Sequence, residues 1–525
     1  TPLAARLPSM LASLTLLLLV GRAAGRAGGE RFGWMATALL ASAPLYAALS
    51  AYVIFDMMLA LCVTVVWLGV AREVEDRMDA AGAPSAREIL LRRLAMFAAI
   101  AAGILIKGPV MLAWALGGSL GAALVLRSFK PLAWLAWIPG WVLALGIPGA
   151  WFAAASARFP EYPHYAFVEE SFQRLTSNAF HRHQGWWFAP VVLVAGTLPW
   201  SLATPWSAAR WRAQPSSVRT AAGAGLGFAL FAAVFFSISH SQLVTYLVPA
   251  IPPLAWCAAA MWERGGPTRT ETSGSGPIEL SLQLTGIVLA ALVLVVLAPV
   301  GWFAYLTTLP TASHAPDTAG LYQLAYWLTG LFLVFGIAAV LGFLRSSAGL
   351  LFAVTVAWVP AFVVLILQTG SQSTADSRWM VGTGLGSISG SYLARAIRLH
   401  GDRPVIYRRC YSPGTDFLLG RSSRLVSEDG TEATSNYIVR YREVLRGRGL
   451  WTALDSLPPD TFAVVVGDPP PPGPGRFVEL RGWHGRPTKV FFPGRRPPWP
   501  YTNFYSDARF KVWRYAPPGD TISYH

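Results

Sequence analysis

Residues 51–72 read AYVIFDMMLALCVTVVWLGVAR: an acid, a run of apolar side chains, and an arginine at the exit. Helical spans need about 20 predominantly apolar residues to cross a bilayer, and the run 57–72 comes near that length. Asp56 is the discordant residue. A charge at bilayer depth costs at least about 2.5–3.5 kcal/mol, so an acid there is by default functional. The bland alternative is a cap on the helix that starts at Met57, near the water boundary. The stretch alone leaves both readings open.

Working outward, similar apolar runs recur at 7–23, 32–49, 93–106, 109–127, 131–155, 187–208, 220–238, 244–262, 283–305, 323–344 and 348–368, giving twelve expected spans. A continuous helix over 93–127 would run about 52 Å at 1.5 Å per residue, too long for one crossing. Lys107, Gly108 and Pro109 supply the break. The chain of 525 residues is 54% hydrophobic and 13% charged. Soluble domains carry about 25% charged residues, so the composition specifies an integral membrane protein. The net charge of +15 suits anionic lipid better than nucleic acid in such a chain. The three cysteines, Cys62, Cys257 and Cys410, make neither a disulfide framework nor a metal knuckle.

The loops alternate in charge. Arg22, Arg26 and Arg31, then Arg72 to Arg93, then Arg127 and Lys130, then Arg210 to Arg219, Arg264, Arg269 and Arg345 fall on one side. The positive-inside rule makes that side cytoplasmic. Asp56, Lys107, the loop 156–186, the loop around His240 and everything after residue 370 then lie on the other side. The expected organisation is a membrane domain over 1–370 and an extracytoplasmic α/β domain over 371–525, with strand signals such as TFAVVVGD alternating with amphipathic helix signals.

Four polar clusters share the outer face. Asp56 is one, and Lys107 is another, a lysine that could also merely snorkel. The third is the loop RFPEYPHYAFVEESFQRLTSNAFHRHQGWWFAP, dense in Glu169, Glu170, Arg174, His181, Arg182 and His183. Arginine forks suit phosphate, and the His/Glu mix has the donor types for a divalent cation. The competing reading is a solvated belt with Trp186 and Trp187 at headgroup level. The fourth, FFSISHSQLVTYLVPAIPPLAW, carries His240, Gln242 and Tyr246 ahead of three prolines, as for irregular backbone lining a cavity.

In this order the clusters resemble bacterial polyprenyl-phosphate-sugar glycosyltransferases. They are most similar to the 4-amino-4-deoxy-L-arabinose transferases acting on lipid A, relatives of protein O-mannosyltransferases with the GT-C fold. The phrase ARLPS at 5–9, the acid Asp56, the Lys107-Gly108-Pro109 phrase, Glu170 with Gln173 and Arg174, His181 with Arg182 and Trp186, and 236–249 carry the resemblance. Gln242 and Val248 depart from it, where lysine and leucine are usual. The family also begins with one more span and an acidic first loop, so the chain reads as lacking them.

The resemblance implies an inverting glycosyltransferase of the inner membrane. Its donor would be a polyprenyl-phosphate sugar and its acceptor a lipid A-type or other extracytoplasmic lipid or glycan. Lys107, Arg174 and Arg182 would bind the donor phosphate. Asp56 would be a catalytic or supporting carboxylate, Glu170, His240 and Tyr246 would line the cavity, and His181 would be the metal ligand if a divalent ion takes part. A lipid-linked-sugar transporter or an inactive scaffold is the alternative. Ionisable residues gathered at one face, rather than at midplane, argue against transport.

Overall fold

The computed structural model describes residues 2–262 except 51, 79–83, 174–183, 199, 204–210 and 212–213, and beyond 262 short stretches between 330 and 516. The described residues fall into two compact units, one holding the helices up to residue 262 and one holding a β-sheet.

In the helical unit, six helices among the described residues are long and apolar enough to cross a membrane, or seven if one bent pair counts as a span. The chain is a polytopic helical membrane protein. Helix α1 runs Pro2–Gly28, α2 Glu30–Ala41, α3 Pro44–Ser50, α4 Asp56–Asp76, α5 Ala86–Lys107, α6 Val110–Leu126 and α7 Ile138–Arg158. Helix α8 (Phe188–Gly196), α9 (Ser216–Ile238) and α10 (Ile251–Trp262) follow, with a 3₁₀ turn over Val244–Ala250 leading into α10. The expected span at 32–49 is broken: α2 and α3 meet at 71°, across Ala43 and the proline that opens α3, which cannot continue a helix's hydrogen bonding. The expected span at 187–208 is helical only in short pieces, Phe188–Gly196 and Trp200–Ala203, among the described residues. The runs at 283–305 and 323–368 lie largely outside them.

Local sequence explains the ends that matter. Helix α5 starts with a capping box, in which Ser85 and Glu88 satisfy one another's backbone N–H groups. It stops at Lys107 because Gly108 takes φ +74°, a conformation that side chains rarely adopt. Pro109 then stands at the cap position of α6. The Lys-Gly-Pro phrase therefore ends one helix, turns the chain, and leaves a cation at a helix C-terminus, where the dipole favours it.

Helices α6 and α9 approach backbone to backbone. A Cβ at Gly121 would lie 2.3 Å from the Gly227 carbonyl oxygen, and one at Gly227 would lie 2.2 Å from the Ala122 nitrogen. Small residues permit such contact where van der Waals packing drives helix association. The start of α9 is pinned by indoles: Trp67 Nε1 donates to Ala221 O at 2.9 Å and Trp256 Nε1 to Val218 O at 3.2 Å. At the arginine-rich end of α4, the buried Glu73 pairs with Arg77, Arg92 and Arg93. Asp56 starts the same helix seventeen residues earlier, about 26 Å away along the axis.

In the second unit, β1 (Val405–Arg408), β2 (Arg424–Val426), β3 (Val464–Gly467), β4 (Arg476–Glu479) and β5 (Val512–Ala516) form one sheet in the order β2-β1-β3-β5-β4. β1 is parallel to β2 and β3, while β5 runs antiparallel to β3 and β4. Val405, Tyr407, Val464 and Val466 pack in one buried cluster and Ile406, Val426 and Val465 in another. Alternate residues of each strand thus go to opposite faces, and both faces are covered, as parallel strands require.

Candidate functional site

Asp56 opens α4, one residue earlier than the sequence suggests, with Phe55 at the cap position and no capping side chain there. Its carboxylate instead pairs with the Lys107 ammonium at the end of α5, and the Thr245 hydroxyl bonds the same carboxylate. Asp56 is thus more than a helix cap. The turn before it is fixed from far away: Ser9 Oγ donates to the Ile54 carbonyl at 2.9 Å. That bond is the structural use of the ARLPS phrase.

The Lys107 nitrogen also stands 4.4 Å from the centroid of the Tyr246 ring. Tyr246 lies in the 3₁₀ turn after α9, where the chain leaves the span through an extended Leu243 at φ −132°. One ammonium is therefore held between a carboxylate and an aromatic face. Its side chain is 21% exposed against 8% for that of Asp56. The pair has near-zero net charge, and an ammonium is a donor of the kind an anion takes.

Lys107 and Tyr246 line a cavity of about 180 Å³. Helix α6 contributes Val110, Ala113 and Trp114 at i, i+3 and i+4, which places them on one face. Phe235 and Phe236 come from the end of α9, and Ser239 and Ser241 from the turn beyond it. Glu170 reaches the wall from a wide helical turn over His164–Gln173, and Tyr165 donates its hydroxyl to Glu170 Oε1 at 2.9 Å. The neighbouring Glu169 is buried and faces His164 at 3.4 Å. The lining is mainly apolar, with one ammonium, one carboxylate and the hydroxyls of Ser239, Ser241 and Tyr246 among it. Such a shape suits an amphipathic ligand.

Of the residues singled out from sequence, Lys107, Glu170 and Tyr246 meet at this cavity. Asp56 stands behind Lys107 rather than in the wall. His240 sits between two lining serines without being a lining residue itself. Arg174, His181 and Arg182 lie outside the described residues. Among the described residues no group of three or more His, Cys, Asp or Glu side chains is placed to hold a metal ion. Sequence reading missed Trp114, Ser239, Ser241 and Thr245. Only the helical spacing after the Lys-Gly-Pro turn pointed toward Trp114.

No family model matches the chain. The crystal structure of ArnT from Cupriavidus metallidurans bound to undecaprenyl phosphate superposes with a TM-score of 0.68 at 23% identity, covering 88% of this chain and 78% of that one. The apo structure of the same protein gives 0.67. The chain has the ArnT fold. That is a GT-C bundle, as the motifs implied. Among curated relatives, the undecaprenyl phosphate-α-4-amino-4-deoxy-L-arabinose arabinosyl transferase of Shewanella sediminis is 31% identical over 250 residues, 46% of this chain and 42% of that protein. The transferase of the same name from Pectobacterium carotovorum is 32% identical over 181 residues, 34% of this chain and 32% of that protein. The chain thus matches less than half the length of these ArnT relatives.

Proposed function

We propose that the chain is an inverting glycosyltransferase that moves a sugar from a polyprenyl phosphate, of the undecaprenyl class, to a lipid A-type or other extracytoplasmic acceptor. The observation that carries this reading is Lys107, held between Asp56 and Tyr246 in the wall of a mainly apolar cavity. Support comes from the fold shared with a protein solved with undecaprenyl phosphate bound, and from relatives named as arabinosyl transferases.

In this reading the prenyl chain follows Leu59, Val110, Ala113 and Phe235, and the phosphate meets Lys107. An acceptor oxygen attacks the anomeric carbon from the face opposite the phosphate. The carbon–oxygen bond to phosphate breaks, and its electron pair leaves on the lipid phosphate. Charge grows on that phosphate as the bond lengthens, so fixed cations stabilise the transition state more than the ground state. Lys107 does this, with Arg174 and Arg182 proposed beside it. A hydroxyl acceptor gives up its proton to a carboxylate, for which Glu170 faces the cavity. A phosphate acceptor is already ionised and needs only positioning. Asp56 holds the ammonium in place, and His240 supports the turn that carries Ser239 and Ser241. His181, which lies outside the described residues, is the proposed ligand for a divalent ion, and no step runs through that ion.

The wider arrangement belongs to the same proposal. It comprises twelve spans in the inner membrane, the cavity on the periplasmic side, and 371–525 as a periplasmic α/β domain. The test is transfer of radiolabelled sugar from an undecaprenyl phosphate donor in proteoliposomes containing the full chain. Label should appear in lipid A or another supplied acceptor, and Lys107→Ala should abolish it. Facilitated movement of the intact donor between leaflets, with no transfer, would sink the enzyme reading in favour of transport.

A further inference from the structure

The cavity wall holds polar atoms that the protein leaves unmet. Trp114 Nε1 and Ser241 Oγ are shut from solvent with no hydrogen-bond partner among the described residues, yet both side chains line the cavity. The next residue, Gln242, is in the same condition at Oε1, while its amide nitrogen donates to Ser237 O at 3.3 Å. Buried tryptophans elsewhere in the bundle differ. Trp67, Trp134, Trp200 and Trp256 each donate to a defined oxygen, at 2.9, 3.2, 3.1 and 3.2 Å. Among the fully buried indoles described, Trp114 is the exception. A buried donor left unmade costs stability, and such groups call for an explanation of their own.

Position supplies one. The Trp114 ring lies 6.0 Å from Phe236, Phe236 lies 5.7 Å from Tyr246, and Tyr246 underlies the Lys107 ammonium. The indole therefore stands two rings beyond the cation, along the wall of the same cavity. An indole N–H only donates, as does an ammonium. What completes the indole beside that ammonium is a ligand rich in acceptor oxygens, longer than a phosphate alone.

We propose that Trp114 and Ser241 read the sugar of the lipid-linked donor, the indole N–H and the hydroxyl turning toward the cavity to take acceptor oxygens of the glycosyl group while Lys107 holds the phosphate. This rests on the donor reading above. Both are recognition residues rather than catalytic ones, and they discriminate a sugar-bearing lipid from the bare lipid phosphate that transfer leaves behind.

The test is equilibrium binding by the full chain in nanodiscs, with undecaprenyl phosphate and undecaprenyl phosphate-α-4-amino-4-deoxy-L-arabinose as probes. Trp114→Phe keeps an aromatic ring but removes the N–H together with part of the indole's bulk, whereas Ser241→Ala removes the hydroxyl alone. Each variant should bind the bare lipid phosphate as the parent does and the sugar-bearing lipid about 5- to 10-fold more weakly. The unfolding temperature of ligand-free Ser241→Ala should hold or rise, because an unmet polar group has gone, whereas Trp114→Phe should lower it through the cavity it leaves. Equal loss for both probes would assign the two groups to phosphate instead and overturn the proposal. So would unchanged binding of the sugar-bearing lipid, or a lowered unfolding temperature in Ser241→Ala, which would make that hydroxyl a packing group. Failure of the parent chain to bind either lipid would overturn the donor reading itself, and this one with it.

Discussion

The ammonium of Lys107 lies 4.4 Å from the centroid of the Tyr246 ring, and the two residues come from elements distant in sequence, the end of α5 and the turn before α10. A cation over a ring face gains about 0.5–2 kcal/mol, more as water is excluded. Tyr246→Phe keeps the face and should leave donor affinity within about twofold. Tyr246→Leu removes it and should weaken binding by about 3- to 30-fold. Titration with undecaprenyl phosphate checks the difference.

Asp56 and Lys107 should behave as one unit. Removing one partner of a buried pair leaves an uncompensated charge and costs about 3–5 kcal/mol, whereas removing both can be near neutral. Asp56→Asn and Lys107→Met should each lower the unfolding temperature of the detergent-solubilised protein. The double variant should recover most of that loss and still lack transfer. Additive destabilisation would show that the two groups are not coupled.

Ser9 offers a milder probe of the same carboxylate. Ser9→Ala deletes the bond to the Ile54 carbonyl and should cost about 1 kcal/mol of stability. Because the turn at 52–55 then loosens ahead of Asp56, kcat for transfer should fall by more than KM rises. A steady-state analysis separates the two.

The α6–α9 contact admits little. With a Cβ at Gly121 only 2.3 Å from a backbone oxygen, Gly121→Ala must part the helices, and overpacking of this kind costs about 1–3 kcal/mol. The separation should also displace Trp114 and Phe235 across the cavity. Loss of both stability and donor binding is the expected result, measured by thermal unfolding and lipid titration.

Much of this was legible beforehand, and the reasons are physical. Lys107 and Asp56 stood out because charge is costly among apolar neighbours, and the Lys-Gly-Pro phrase announced a helix end that the φ of Gly108 shows. The five-stranded sheet contains the run TFAVVVGD that reads as a strand, which supplies β3. What stayed hidden depends on contacts distant in sequence. Nothing around Ser9 foretells Ile54, and nothing around Trp114 tells a satisfied indole from an unmet one. The broken span at 32–49 was also hidden, since Ser42, Ala43 and Pro44 interrupt a hydropathy profile only slightly.

One bond at the edge of the bundle has a bearing on the lipid itself. Ser237 Oγ donates to the Trp186 carbonyl at 2.6 Å, and Trp186 and Trp187 are exposed at 76% and 50%. Exposed indoles at the end of a span settle at the headgroup level. The turn carrying Ser239, Ser241 and Tyr246 is thus moored to the same plane. Hydrophobic mismatch costs fractions of a kcal/mol per Å, so a change of acyl-chain length should pull on the rim of the cavity through this tether, and undecaprenyl phosphate affinity measured across bilayers of different thickness should vary with it.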